Sequence, residues 1–390
     1  MPELPEVEVV RAGLAPAVTG ATILGVEVFE PRSLRRHDTS AGDFESLLTG
    51  RTMSTPVRRG KFLWIPLDGR TQAIVAHLGM SGQILLREPG VVETGLLRIR
   101  LHIEHPLHGE FWVNFVDQRI FGSMAVDKLV PTADGAPGGL GTDDALVPAQ
   151  VAHIARDPLD PAFDDASFAA ALGRKNTGIK RALLDQSLIS GIGNIYADEA
   201  LWAAKLHYEQ PVRSLSRAKI RTLLSEVRLV LAKALAEGGT SFDAQYVNVN
   251  GASGYFSHSL NAYGQEGKPC PRCGTLIVRE QFMNRSSHFC PHCQKLRRPR
   301  ATPATAADAS AAPAAPAAPA APAAPAASVP GARKLRKPGD LTGRTSGVVP
   351  DIAACRAGVP ELWPVARVGV SPTISASCRS ARAVRTRTRR

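Results

Sequence analysis

Apolar residues form short runs in the first half of the chain and recur at helical spacing in the second half. Runs of β-branched and aromatic residues that are interrupted by turn residues are typical of the strands of a β-sandwich or barrel. The predicted strands are residues 21–28, 59–67, 72–77, 83–86, 96–103 and 110–115. The predicted helices are residues 3–15, 167–172, 179–185, 195–206 and 215–236.

The pattern also predicts the domain boundaries. A Gly/Pro-rich stretch begins at residue 134, so we place a linker at 134–150 between an N-terminal domain (1–133) and a helical domain (151–262). Residues 239–267 have little periodicity and are predicted to form a long loop, which in a compact domain is often functional.

Beyond residue 293 the composition changes. Residues 311–327 repeat Ala-Ala-Pro, a composition that cannot build a core, and we expect the tail 294–390 to be disordered. This tail holds 17 basic and 4 acidic residues, which leaves 30 basic and 31 acidic residues before it. The net charge of +12 therefore comes from the tail. Any nucleic-acid binding by the folded part must depend on a few placed cations.

The chain has no apolar run near 18 residues and has acidic residues in its first turn, so we expect neither a membrane span nor a signal peptide, and a cytoplasmic location. Its cysteines do not suggest a disulfide framework, because four form one cluster while Cys355 and Cys378 lie apart in the tail.

The cysteine cluster has the spacing of a structural zinc site. Cys270 and Cys273 form one close pair, and Cys290 and Cys293 form a second pair after sixteen intervening residues. Four thiolates fill the tetrahedral shell of Zn²⁺ and leave no open position for catalysis. The sequence therefore predicts a zinc finger at 263–293, with two strands between the pairs and Arg285 at the hairpin tip.

The first residues can supply a nucleophile. If Met1 is removed, Pro2 carries a free chain-end amine, of which about 10% is neutral at pH 7. Glu3 and Glu6 share its helical turn, and an amine beside two carboxylates suits imine chemistry. The same residues also suit an ordinary helix start, since proline and acidic residues favour the first turn of many helices.

Three further motifs hold candidate DNA-contacting groups. The turn 191–194 precedes a helix, whose free backbone N–H groups can bind phosphate, and Asn194 adds a side-chain donor. The basic run 58–61 enters a strand. Met80, Arg119 and Phe121 lie in two Gly-containing turns and could form a wedge that unstacks bases.

Taken in order, these segments resemble the bacterial formamidopyrimidine-DNA glycosylase family. The resemblance covers about residues 2–293 and rests on an ordered set of motifs: residues 2–7, 59–61, 77–82, 117–122, 191–197, 254–256 and the four cysteines. Two features depart from it. Ile120 stands where the family frequently has arginine, and the tail has no counterpart.

The resemblance implies a multidomain α+β fold. An N-terminal helix and a two-sheet β-sandwich would be followed by a helical helix-two-turn-helix domain and a β-hairpin zinc finger with one structural Zn²⁺. It also implies a monomeric enzyme that extrudes oxidised purines, 8-oxoguanine and formamidopyrimidines, from double-stranded DNA. Base removal would be followed by β,δ-elimination at the resulting site.

Residue roles follow from the same resemblance. Pro2 would be the Schiff-base nucleophile, Glu3 a proton donor and Glu6 a supporting carboxylate. Lys61 and Arg285 would contact phosphates and donate protons in the β- and δ-eliminations, respectively. The implied DNA-binding residues are Met80, His102, Arg119, Phe121, Lys180, Asn194 and Tyr255, with Arg119 facing the orphaned cytosine.

Two alternatives remain. One is an endonuclease VIII-like glycosylase for oxidised pyrimidines, which has the same nucleophile but usually has glycine where this chain has Leu4. The other is a noncatalytic, zinc-stapled DNA-binding protein, which would normally have lost Pro2 or Glu3.

Overall fold

The structure, a computed structural model, describes residues 2–93, 95–240, 249 and 256–297. The chain divides into two compact units, residues 1–306 and 307–390, and every described residue belongs to the first. Tyr255 and residues 298–390 of the tail, with Cys355 and Cys378, lie outside the described residues.

The described residues contain six α-helices. They are α1 (Leu4–Val18), α2 (Phe44–Leu48), α3 (Asp165–Arg174), α4 (Ile179–Leu183), α5 (Asn194–Ala203) and α6 (Arg217–Ala236). The ends of α6 follow from its sequence: the Ser216 side chain accepts the Lys219 N–H at the start, and Gly238 and Gly239 adopt positive φ angles after the end. No helix of the described part is long and apolar enough to cross a membrane.

Eleven strands form three antiparallel sheets in the described part. The strands are β1 (Thr22–Val28), β2 (Val57–Arg59), β3 (Phe62–Pro66), β4 (Gln72–His77), β5 (Gly82–Arg87), β6 (Leu97–His105), β7 (Gly109–Asp117), β8 (Ser123–Pro131), β9 (Leu146–Pro148), β10 (Val278–Phe282) and β11 (Arg285–Phe289). Their orders are β1-β6-β7-β5, β2-β3-β4-β8-β9 and the hairpin β10-β11.

The two larger sheets share one core with α1. Leu63 of β3 and Phe115 of β7 are fully buried in the same cluster as Val10 and Leu14 of α1. Period-2 alternation in the strands and helical spacing in α1 place these side chains on the inner faces. The two larger sheets and α1 of the N-terminal domain are therefore joined by one buried core.

A second core holds the helical domain and part of the finger. Helices α3 to α6 contribute most of it, and Phe289 of β11 packs into it. Leu4 belongs to this second core, whereas Val7, one turn later, belongs to the first. The first turn of α1 therefore lies where the two cores meet.

Most predicted elements correspond to observed ones, but β8 and α2 have no predicted counterpart, and two further differences concern predicted segments. The single predicted strand 59–67 is two strands, because Gly60 at φ +57° makes a turn between β2 and β3. The predicted linker 134–150 includes β9, which pairs with β8 as an edge strand. Three residues are too few to show a period-2 pattern, so this strand left no signal in the sequence.

Candidate active site

The start of α1 packs closely against the turn that precedes α5. Pro2 is buried, and the Leu4 N–H donates to the Gly191 carbonyl at 3.0 Å. Gly191 has φ +86°, and a Cβ there would lie 2.6 Å from the Leu4 side chain. The close approach thus depends on glycine at this position.

The Glu3 carboxylate occupies the N-terminus of α5. It accepts the Gly193 N–H and, at 3.1 Å, the Ile195 N–H. A Cβ at Gly193 would lie 2.3 Å from the Glu3 carboxyl carbon. The sequence predicted that this turn would bind phosphate through its backbone, and that expectation is wrong for these two amides, because Glu3 is the anion that they bind.

The environment of Glu3 suits a proton donor. Its side chain is buried, and burial raises the pKa of its carboxyl group; the negative charge of Glu6 adds to this increase. Lys61 and the two α5 amides oppose it. A carboxyl group with a raised pKa can hold a proton closer to neutral pH, as a general acid requires.

Glu6 joins the first turn to the residues around α5 and α6. Its Oε2 accepts the Glu3 N–H at 2.8 Å. Its Oε1 accepts the Thr240 N–H at 2.7 Å, the Thr240 hydroxyl at 2.8 Å and the Tyr196 hydroxyl at 2.5 Å. Neither Tyr196 nor Thr240 was among the predicted site residues, although Tyr196 lies in the motif 191–197.

Lys61 reaches the same turn from the start of β3. Its Nζ donates to the Ile192 carbonyl at 2.9 Å, which also accepts from the Gln186 amide at 2.9 Å. Burial lowers the pKa of Lys61, and the positive charge of Arg285 lowers it further, while Glu3 and Glu6 oppose the decrease. A lysine with a lowered pKa releases its proton more readily near neutral pH.

The tip of the finger hairpin is attached to α4 and α5. Asn194 Nδ2 donates to the Ser286 carbonyl at 3.0 Å, and Lys180 Nζ donates to the same carbonyl at 3.1 Å. Lys180 is fully buried and pairs with Asp198 at 2.6 Å, and Asp198 accepts the His288 N–H at 2.9 Å. These contacts place Arg285, the neighbour of Ser286, close enough to Lys61 for its charge to lower the pKa of that lysine.

The predicted wedge residues lie together in the turns 78–82 and 118–122, which pack against each other. Met80 is 41% exposed, Phe121 is 50% exposed and Arg119 is also exposed. A Cβ at Gly79, which has φ +63°, would lie 2.4 Å from the Phe121 carbonyl. The two turns thus present one apolar and cationic projection.

The structure does not bring His102 to this group. His102 lies in the middle of β6, where it pairs with Trp112 of β7 and its ring contacts Glu27. Trp112 is five residues from Asp117 along β7, a distance of about 17 Å at strand spacing. The DNA contact expected of His102 stays a prediction, as do the contacts expected of Lys180, which is buried, and of Tyr255, which is not among the described residues.

The four cysteines of the finger form a compact group of sulfur ligands. All four Sγ atoms lie within 4.8 Å of one another, and Cys273 Sγ is 3.5 Å from that of Cys290 and 3.4 Å from that of Cys293. Thiolates around a tetrahedral Zn²⁺ stand roughly 3.8 Å apart, so the group fits a metal ion. Trp202 Nε1 donates to Cys270 Sγ at 3.4 Å, the kind of outer contact that orients a metal ligand.

Comparison with known proteins accounts for the three parts of this arrangement. Residues 1–124 match the formamidopyrimidine-DNA glycosylase N-terminal domain, residues 154–245 match the H2TH domain of the same glycosylase, and residues 267–296 match the zinc finger found in FPG and IleRS. The chain belongs to the formamidopyrimidine-DNA glycosylase family. It is therefore a DNA glycosylase of base excision repair.

Similar members of the family cover the folded part of the chain. The formamidopyrimidine-DNA glycosylase of Leifsonia xyli is 78% identical over 297 residues, which are 76% of this chain and 100% of the relative. That of Kineococcus radiotolerans is 56% identical and covers 76% of this chain and 99% of the relative.

Solved structures of Lactococcus lactis Fpg have the same fold. The complex with DNA containing an abasic site is 30% identical, with a TM-score of 0.62, and covers 75% of this chain and 99% of that one. A point mutant of the same protein, bound to DNA containing Fapy-dG, is 30% identical, with a TM-score of 0.63, and covers 75% and 100%.

Proposed function

We propose that this glycosylase excises oxidised purines from duplex DNA through a Schiff base on Pro2 and then cleaves the strand as an AP lyase. One observation carries the proposal: the buried Glu3 carboxyl group adjoins Pro2, has a raised pKa, and lies within the electrostatic reach of Lys61. A nucleophile and an acid at the start of α1 thereby lie close to a cation that comes from the start of β3.

The first step is base removal. After loss of Met1, the neutral Pro2 amine attacks C1′ of an extruded nucleotide, the C1′–N bond to the base breaks, and the departing base takes up the proton that the Pro2 nitrogen loses. Glu3 protonates the ring oxygen, so the sugar opens and an iminium ion forms between C1′ and the Pro2 nitrogen. The α5 amides then stabilise the Glu3 carboxylate that remains.

The second step is strand cleavage. The iminium ion acidifies the C2′ proton, and loss of that proton breaks the C3′–O bond in β-elimination; δ-elimination then breaks the C5′–O bond. We assign the proton donors to Lys61 for the first bond and Arg285 for the second. The lowered pKa of Lys61 supports this assignment.

We assign DNA recognition to two groups of residues. Lys61, Asn194 and Arg285 contact phosphates beside the lesion, while Met80, Arg119 and Phe121 fill the space that the extruded nucleotide leaves. The remaining proposed DNA contacts are His102, Lys180 and Tyr255. The exposure of Met80 and Phe121 supports the wedge role, since apolar side chains inserted between base steps kink DNA.

The finger is proposed to hold one structural Zn²⁺ through Cys270, Cys273, Cys290 and Cys293. The ion would fix the hairpin whose tip carries Arg285. We expect one zinc per chain by elemental analysis, and Cys290→Ser should weaken DNA binding. Undiminished binding by metal-free protein would contradict this role.

The mechanism can be tested by borohydride trapping. On a duplex with an 8-oxoguanine:cytosine pair, borohydride should reduce the iminium ion and leave a covalent protein–DNA adduct. A variant with an uncleaved N-terminal extension should give none, because its Pro2 nitrogen is an amide.

The same assay separates the alternatives. The proposed nucleophile would be refuted if the wild-type protein gave no adduct. It would also be refuted if Pro2→Gly and the blocked protein gave as much adduct as the wild type. A stronger adduct on an oxidised-pyrimidine duplex would favour an endonuclease VIII-like specificity. Binding without an adduct on either duplex would identify a noncatalytic protein.

A further inference from the structure

The turn between β7 and β8 has an unfavourable backbone conformation. Ile120, a β-branched residue, adopts φ +55°. L-amino acids rarely occupy this region, and β-branched residues are true outliers there. The turn also holds Phe121 half exposed rather than packed in the core. Such a conformation persists only if surrounding contacts hold it.

The N–H groups of the turn are held by Asp117. Its carboxylate accepts the Arg119 N–H at 3.1 Å and the Gly122 N–H at 2.6 Å. The Ser81 hydroxyl donates to the same carboxylate at 2.5 Å, which ties in the turn that carries Met80. One carboxylate thus joins both halves of the proposed wedge.

The carbonyl groups of the turn are held by Arg35, which is distant in sequence. Its Nη1 donates to the Gly122 carbonyl at 2.6 Å and to the Ile120 carbonyl at 3.3 Å, and its Nη2 donates to the Phe121 carbonyl. Three successive carbonyls therefore bind one guanidinium group. Only arginine offers several donors in one rigid plane, so lysine cannot reproduce this pattern.

The charge of Arg35 is not unusual in this region. Arg36, Lys61 and Arg35 all act on His77, at the end of β4, and contribute to lowering its pKa. A general attraction for DNA would therefore be shared among several cations. The three carbonyl contacts, in contrast, belong to Arg35 alone among the hydrogen bonds of the described residues.

We propose that Arg35 is a positioning residue that holds the 118–122 turn, so that Arg119 and Phe121 project together into DNA. The inference rests on the proposed function and adds a residue that does not itself have to touch the lesion. We call the three hydrogen bonds from Arg35 to the carbonyls of residues 120–122 the Arg35 clamp. Loss of this clamp would slow extrusion of the damaged nucleotide, while the chemistry at Pro2 would continue.

Arg35→Lys tests this role, because it keeps the charge and removes the planar fork. Under single-turnover conditions it should slow excision of 8-oxoguanine opposite cytosine about tenfold. Cleavage at a preformed abasic site, which has no base to extrude, should change by less than about twofold. Arg32→Ala, which removes an exposed charge three residues earlier, is the matched control and should leave both rates near wild type.

Equal rates for Arg35→Lys and wild type would show that charge suffices and overturn the proposal. An equal loss on both substrates would also overturn it, because the defect would then not concern extrusion.

Hydrogen exchange of the free protein gives a readout that does not depend on activity. Amides of residues 118–122 should exchange about tenfold faster in Arg35→Lys than in wild type or Arg32→Ala. Unchanged exchange would refute the clamp whatever the activity. If wild-type protein cleaves neither duplex, the proposed function fails and exchange alone decides the role of Arg35.

Discussion

The first turn of α1 and the 118–122 turn satisfy their hydrogen-bonding groups in opposite ways. Glu3 and Glu6 in α1 bury their charged side chains and satisfy them with backbone and hydroxyl donors from α5 and residue 240. The 118–122 turn exposes its side chains and satisfies its backbone with side chains from elsewhere, Asp117 and Arg35. The proposed reaction centre thus lies in a buried environment that shifts its pKa values, whereas the proposed wedge has a backbone that is held by side chains.

Among the changes that test this comparison, Glu3→Gln should have the largest effect on the excision rate. It removes the proposed proton donor, and we expect excision of 8-oxoguanine to slow by about 10² to 10⁴ in single-turnover assays. Glu88→Gln, at an exposed carboxylate remote in sequence, is the control. A Glu3→Gln rate within tenfold of wild type would remove Glu3 from the mechanism.

His77, at the end of β4, should give the protein a pH-dependent stability. Burial, with help from Arg36, Lys61 and Arg35, lowers the pKa of His77 to about 4, and its neutral Nδ1 accepts the Gly79 N–H. The unfolded chain protonates His77 near pH 6.5, so it binds more protons than the folded protein between pH 6.5 and 4.

The free energy of unfolding should consequently fall as the pH drops through this range, by at most about 3 kcal/mol from His77. Denaturant titrations at several pH values would measure it. His77→Gln should flatten this part of the profile, and an unchanged slope would mean that other groups cause it.

Phe121→Ala should separate function from stability. Because the side chain is half exposed, we expect the free energy of unfolding to change by less than about 0.5 kcal/mol. Excision should nevertheless slow about tenfold, since the wedge loses its apolar tip. Leu107→Ala, at an 82% exposed residue in the β6–β7 turn, should affect neither quantity. A large loss of stability would instead give Phe121 a packing role.

Deletion of residues 300–390 should have the smallest effect on the reaction. This segment contributes much of the positive charge, and counterion release makes such contacts sensitive to salt. We expect weaker nonspecific DNA binding with a shallower salt dependence and an unchanged single-turnover excision rate. An unchanged salt slope would exclude this role for the tail.

Local patterns were sufficient for most of the fold. The 3.6-residue period predicted α6 and the alternating period predicted β4 and β6, because each signal lies within one element. The hairpin with Arg285 at its tip followed from the cysteine spacing. The short edge strand β9 was not predicted, because its three residues are held by pairing with β8 and show no pattern of their own.

The site was only partly predictable. Pro2, Glu3, Lys61 and Arg285 were singled out, but Thr240 and Arg35 were not. Thr240 donates hydrogen bonds to Glu6, which lies more than 200 residues earlier in the sequence. Arg35 donates to backbone carbonyl groups, which are present at every position of any sequence. Neither contact leaves a local signature.

The sequence by itself predicted the nucleophile that loss of Met1 would expose and the four metal ligands, and it determined the periods of the main helices and strands, since these depend on residue type and short spacing. Only the tertiary structure decided which anion binds the N-terminus of α5 and which cation holds the 118–122 turn. Backbone amides and carbonyls are the same at every position, so their partners are chosen by packing. The helix end that could have bound phosphate is thereby occupied by Glu3.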